Sequence, residues 1–127
     1  MNTEVNPPHL TATGKVVINP QVVFSLALDA ALSTYGIVGI SSRYTGYDTT
    51  RHDPHRGLEV KMHQASDDAT VVTISIHVIA EYGVRISAVI SSLQHQIAYS
   101  IQHSTGYCVD AVNVHVTGLR ITHEDQL

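Results

Sequence analysis

Residues Thr70 to Gly118 constrain the fold more than any other part of the chain. They read as a strand, a Tyr-Gly break, a long amphipathic helix, a Thr-Gly stop and a second strand, with almost nothing left over. Val72, Ile74, Ile76 and Val78 alternate with Thr73, Ser75 and His77. That period of two puts one strand face on a core and the other outside. Tyr82-Gly83 breaks the strand. From Val84 to Ser104, Ile86, Ile90, Leu93, Ile97 and Ile101 recur at spacings of four, three, four and four, which predicts an apolar stripe along one helix. Gly106 stands where a left-handed residue closes a helix. Val112, Val114 and Val116 then alternate with Asn113, His115 and Thr117.

The first half repeats this logic loosely. Gly14 opens a strand over Lys15 to Ile18, and Asn19-Pro20 starts a helix, since Asn caps and Pro suits the first helical position. Val23, Leu26, Ala27, Ala30 and Ala31 form its apolar stripe, and Gly36 ends it. Ile37 to Arg43 reads as a strand. The loop Tyr44 to Gly57 follows and is long for a hairpin connection. Leu58 to Gln64 alternates, with Leu58, Val60 and Met62 on one face and Glu59, Lys61 and His63 on the other. Ser66-Asp67-Asp68 makes a turn before the strand Val71 to Ala80. The order is β-α-β-β-β-α-β. It predicts an α+β fold: a two-layer sandwich, with a mixed β-sheet and two helices on one face. The middle strands are expected to form a meander, and each helix a crossover between two strands. Residues 1–13 are read as a flexible arm, 14–121 as one domain and 122–127 as a flexible tail.

Composition supports a single domain. A chain of 127 residues buries enough surface to need no staple, and its lone cysteine, Cys108, allows no internal disulfide. Only 14% of residues are charged, so Ser, Thr, Asn, Gln and His must supply much of the polar surface. A net charge of −4 gives no pull toward nucleic acid. Tyr35, Tyr44, Tyr47, Tyr82, Tyr99 and Tyr107 do not interleave with Lys or Arg on a strand face, which argues the same way. The longest apolar stretch, Val22 to Leu32, is too short for a membrane span, and no signal peptide is read at the start. A cytoplasmic chain is expected, with membrane contact only through a partner.

Val78 to Gly83, Val84-Arg85-Ile86, Ser104-Thr105-Gly106 and especially Val112-Asn113-Val114-His115-Val116-Thr117-Gly118 form a recognisable set. These stretches resemble the alkaline shock protein family, also called the envelope stress response family of Gram-positive bacteria. Gly14-Lys15-Val16-Val17-Ile18 and, after the first helix, Gly36-Ile37-Val38-Gly39-Ile40 follow the family's opening in the same order. The resemblance covers about Gly14 to Ile121. It implies a small, cytoplasmic, non-enzymatic domain linked to cell-envelope homeostasis. It further implies self-association and placement at the inner face of the membrane by a separate anchor protein. The family supplies no catalytic residue and no cofactor to carry over.

Two constellations carry candidate chemistry. Arg51, His52, Asp53, His55 and Arg56 form the densest polar cluster, around Pro54. Two imidazoles and a carboxylate suit a transition metal, and two arginines suit an anion or an acidic partner. The spacing matches no metal motif, so the ordinary reading is a solvated loop. The second constellation is the face opposite the core, where His63, His77 and His115 fall with Lys61, Asn113 and Thr117. Such a face is a candidate docking surface, and its histidines would make assembly pH-sensitive. The bland reading is a polar outer face. No glycine-rich phosphate loop is present, and no spacing supports a Ser-His-Asp triad. Together with what the resemblance implies, the leading reading is a homo-oligomeric interaction protein with a membrane-anchor partner. The alternative is a small ligand- or metal-binding domain using the histidines.

Overall fold

The computed structural model describes residues 8–11, 14–41, 57–66 and 69–121. Six strands and two helices occur in these residues: β1 Pro8–Thr11, β2 Gly14–Val17, α1 Pro20–Leu32, β3 Ile37–Ile40, β4 Leu58–Ser66, β5 Ala69–Glu81, α2 Ile86–Thr105 and β6 Cys108–Arg120. The α+β class and the order expected from the sequence hold. The structure adds β1, which pairs antiparallel with β2 from within the segment read as an arm.

Strand β5 is the spine. It is thirteen residues long, and β6 lies parallel along one of its edges, from Val71↔Cys108 to Glu81↔Arg120. Its other edge is shared. β4 pairs antiparallel with the first part, through Leu58↔Ile76, and β3 with the last, through Ile40↔Val78. The expected meander is therefore not formed, because β3 and β4 meet end to end on β5 and do not pair side by side. A strand this long, about 43 Å at ~3.3 Å per residue, has room for both. The first expected crossover is also absent. β2 pairs with β1 in a separate two-stranded sheet, so α1 does not connect two strands of the main sheet. The unit β5-α2-β6 is a true parallel crossover.

Both helices cover the face that carries Val72, Ile74, Ile76 and Val78, all fully buried. In α1, the Asn19 side chain accepts from the Gln21 N–H at 2.8 Å, which satisfies one of the donors left over at a helix start. Its buried residues are Val23, Phe24, Ala27, Ala30 and Ala31. Leu26 is only half-buried, and Phe24 takes the large apolar place in its stead. At Gly36 φ is +95°, and a Cβ there would stand 2.7 Å from Val89 Cγ2, so both conformation and close helix approach require glycine.

The stripe of α2 differs from the expected one. Val89, Leu93, Ile97 and Ile101 are buried, while Ile86 is 38% exposed. The helix begins at Ile86, not Val84, so Ile86 lies in the first turn, at the rim of the packed region. Ile90 lies about 60° around the helix from Leu93 and is half-buried. Gly106 closes the helix at φ +79°, as expected, and its N–H donates to the Gln102 carbonyl at 2.9 Å.

Tyr107, at the entry to β6, is buried, and burial raises its phenol above the usual 10.0. Above pH 10 the unfolded chain releases this proton while the folded chain keeps it. Stability is therefore fully present below about pH 10 and falls as pH rises beyond it, by up to ~1.4 kcal/mol per pH unit for one retained proton. Urea unfolding at pH 9 and pH 11 should show a steeper alkaline loss for the natural chain than for Tyr107→Phe.

Candidate functional site

The face opposite the helices carries the second histidine constellation. Register places Glu59, Ser75 and Asn113 in one row across the sheet, and Lys61, Thr73 and Ala111 in the next. His77 and His115 are direct partners and their rings stack, with centroids 4.5 Å apart and planes 13° from parallel. His63 shares the face but not the site. It stands opposite Val71, six residues along β5 from His77, or about 20 Å away. Two of the three histidines thus come together. Among the described residues no three of His, Cys, Asp or Glu are placed to hold a metal. Stacked rings also offer each other their faces and do not aim their nitrogens at one point.

Beside the histidine stack, the backbone is drawn tight. The His77 N–H donates to the Gly57 carbonyl at 2.8 Å, and its carbonyl accepts from the Ser41 N–H at 2.9 Å. One residue of β5 therefore holds both roots of segment 42–56. A Cβ on Gly57 would stand 1.9 Å from the Ser41 carbonyl oxygen and 2.7 Å from Ile40 Cγ2. Ser41 is fully buried, and its hydroxyl bonds to that of Thr117. The Thr117 hydroxyl in turn donates to the Val78 carbonyl at 3.3 Å, which leaves Ser41 as donor to Thr117. Thr117 occupies a bulge, where β6 has one residue more than β5. Its hydroxyl thus fastens β6 to the end of β3. The residues Arg51, His52, Asp53, His55 and Arg56 lie outside the described residues; the roots of their segment flank His77.

Exposure varies within the face. Lys61, His63, Asn113, His115 and Thr117 are exposed, whereas Ser41, across His77 from His115, is fully buried and Ile79 is 5% exposed. Sequence reasoning did not single out Ser41, because a serine within the expected strand Ile37 to Arg43 carries no pattern of its own. Gly57 enters the sequence reading only as the end of the loop Tyr44 to Gly57. The near contact of Gly57 with Ser41 has no local signal, since it joins residues on either side of a long segment.

Two surface depressions bear on catalysis. One, of about 320 Å³, lies at the start of α2 and is lined by Tyr35, Gly83, Val84, Arg85, Ala88, Val89 and Ser92. Among the described residues its lining has no carboxylate, imidazole or thiol. The other, of about 280 Å³, lies between α2 and β6 and includes His95 and Asp110. Both already have partners: His95 Nδ1 is 2.8 Å from the Ser91 carbonyl, and Asp110 accepts from the Thr73 hydroxyl at 2.8 Å. Among the described residues no hydroxyl or thiol nucleophile lines it.

The fold and site define a class: a two-layer α+β domain whose sheet, among the described residues, has one face that no helix covers. Residues 9–121 match the model of the alkaline shock protein 23 family, of cell envelope-related function, and the chain belongs to that family. It is 30% identical over 118 residues to the uncharacterized protein YloU of Bacillus subtilis, covering 89% of this chain and 94% of that one. It is 27% identical over 117 residues to the uncharacterized protein YqhY of the same organism, covering 91% and 84%. To the uncharacterized protein Spy1614 of Streptococcus pyogenes it is 23% identical over 120 residues, covering 91% and 95%. No solved structure matches. Among the described residues no helix is long and apolar enough to cross a membrane.

Proposed function

We propose that this chain is a non-enzymatic interaction module of the cell envelope. It self-associates and is held at the inner face of the membrane by an anchor protein. The observation that carries this reading is the helix-free sheet face. Lys61, His63, Asn113 and His115 are exposed there on paired strands, so a partner meets a surface fixed before binding. Family membership supports the setting, since the family's function is cell envelope-related. The segment carrying Arg51, His52, Asp53, His55 and Arg56 is rooted beside His77 on that face and belongs to the proposed contact region. In this reading the histidines contact a partner and hold no cofactor.

Two measurements test it. Light scattering behind size exclusion should give a mass above that of the 13.8 kDa chain. In fractionated Bacillus subtilis cells the tagged chain should sediment with membranes and be released by Lys61→Glu combined with His63→Glu. A chain that stays monomeric at high concentration and entirely in the soluble fraction overturns the proposal.

A further inference from the structure

We infer that β6 is the self-association edge, and that it takes the β6 of a second copy, antiparallel, about a two-fold axis at Val114. This rests on the self-association reading above and names the surface. Among the described residues β6 pairs only with β5, although it runs for thirteen residues. A strand paired on one side presents unpaired N–H and C=O groups at alternate residues on the other. Proteins usually blunt such edges with lysine, proline or other charges. Between the bulges at Asp110 and Thr117, the stretch Ala111-Val112-Asn113-Val114-His115-Val116 has no Lys, Arg, Asp, Glu or Pro. One of its outward groups, the Val112 carbonyl, already accepts from the Gln94 side chain at 2.9 Å, and an incoming strand shares or replaces that exposed bond. Val112 and Val114 are half-buried and Val116 is 37% exposed. The occupant such an edge fits is a strand.

The sequence of the edge selects a second copy as that strand. Facing residues in an antiparallel pair share a sheet face, so only alternate registers put valine opposite valine. Regular pairing is confined to residues between the two bulges. Centring on Asn113 leaves Val116 unmatched and sets Ala111 against His115. Centring on His115 keeps only three residues within the regular stretch. Centring on Val114 uses five residues, pairs Val112 with Val116 and Val114 with its own copy, and sets Asn113 beside His115 on the polar face. The two half-covered apolar rows then complete each other, and both helix layers stay on the same side of one continuous sheet.

Cysteine cross-linking reads the register directly, in a Cys108→Ser background because Cys108 is exposed. Facing Cα atoms of an antiparallel pair lie about 4.5–5.5 Å apart, within disulfide range. Val114→Cys should therefore form a covalent dimer on mild oxidation. Asn113→Cys alone and His115→Cys alone should not, whereas their mixture should cross-link. Asn113→Lys, exposed and on the polar face, should raise the dimer dissociation constant at least tenfold with an unchanged circular dichroism spectrum. A chain that associates but gives none of these cross-links, and ignores Asn113→Lys, overturns the β6 edge while leaving self-association standing. A monomer at every concentration overturns both.

Discussion

Gly57→Ala should destabilise the domain by about 3 kcal/mol or more, a loss on the order of 10 °C in Tm for a chain of this size. The added methyl carbon would sit 1.9 Å from the Ser41 carbonyl oxygen, far inside contact distance. That obstacle is backbone and cannot rotate away. Relief requires β3 and β4 to separate at their junction, which breaks one or both backbone bonds at His77. The shift also pulls Ser41 from Thr117 and loosens the end of β6. Gly83→Ala is the matched control. Gly83 has φ +97° but no atom within 4 Å of an added Cβ, so it costs only the backbone term, about 1 kcal/mol. Urea unfolding of the two variants separates close approach from conformational strain. Equal losses would show that the approach at Gly57 relaxes freely.

The second large effect lies in α2. Leu93→Ala and Ile97→Ala should each cost about 2–5 kcal/mol, because both side chains are fully buried and the rigid surroundings cannot fill the space left behind. Ile86→Ala should cost about 1 kcal/mol or less, since that side chain is 38% exposed. Thermal or urea unfolding of the three variants checks this. The periodic stripe by itself ranks Ile86 with Leu93, seven residues apart and on nearly the same side of the helix. A large loss at Ile86 would restore that simpler reading and contradict the packing described above.

The legible parts of the fold are those written in neighbouring residues. Val72, Ile74, Ile76 and Val78 announce a strand face, and all four are fully buried. Asn19-Pro20 and Gly106 mark helix ends through groups within a few residues of each other. The edges of this reading fail where depth decides. Ile86 has the right period but sits at the rim, and Phe24 lies off the stripe yet is buried. The β3-β4-β5 meander failed for a related reason. Local pattern says that three segments are strands, but not that β5 is long enough to hold two of them on one edge.

The candidate face divides in the same way. Alternation puts His63, His77 and His115 on one side of the sheet, and the strands keep that assignment. Which rings touch depends on register. His77 meets His115 because β6 returns parallel through α2, and His63 is remote because β4 turns back antiparallel at the far end of β5. Ser41 and Thr117, 76 residues apart, are joined by a hydrogen bond that no spacing foretells. By itself the sequence determined the elements other than β1, most of their inward faces, the α+β class and the family. Side-chain periodicity and helix caps act over a few residues, so the chain carries them locally. The tertiary structure alone decided the shared edge of β5, the histidine stack and the edge of β6 that no strand pairs among the described residues. Those contacts join distant segments, and only packing the whole domain fixes their register.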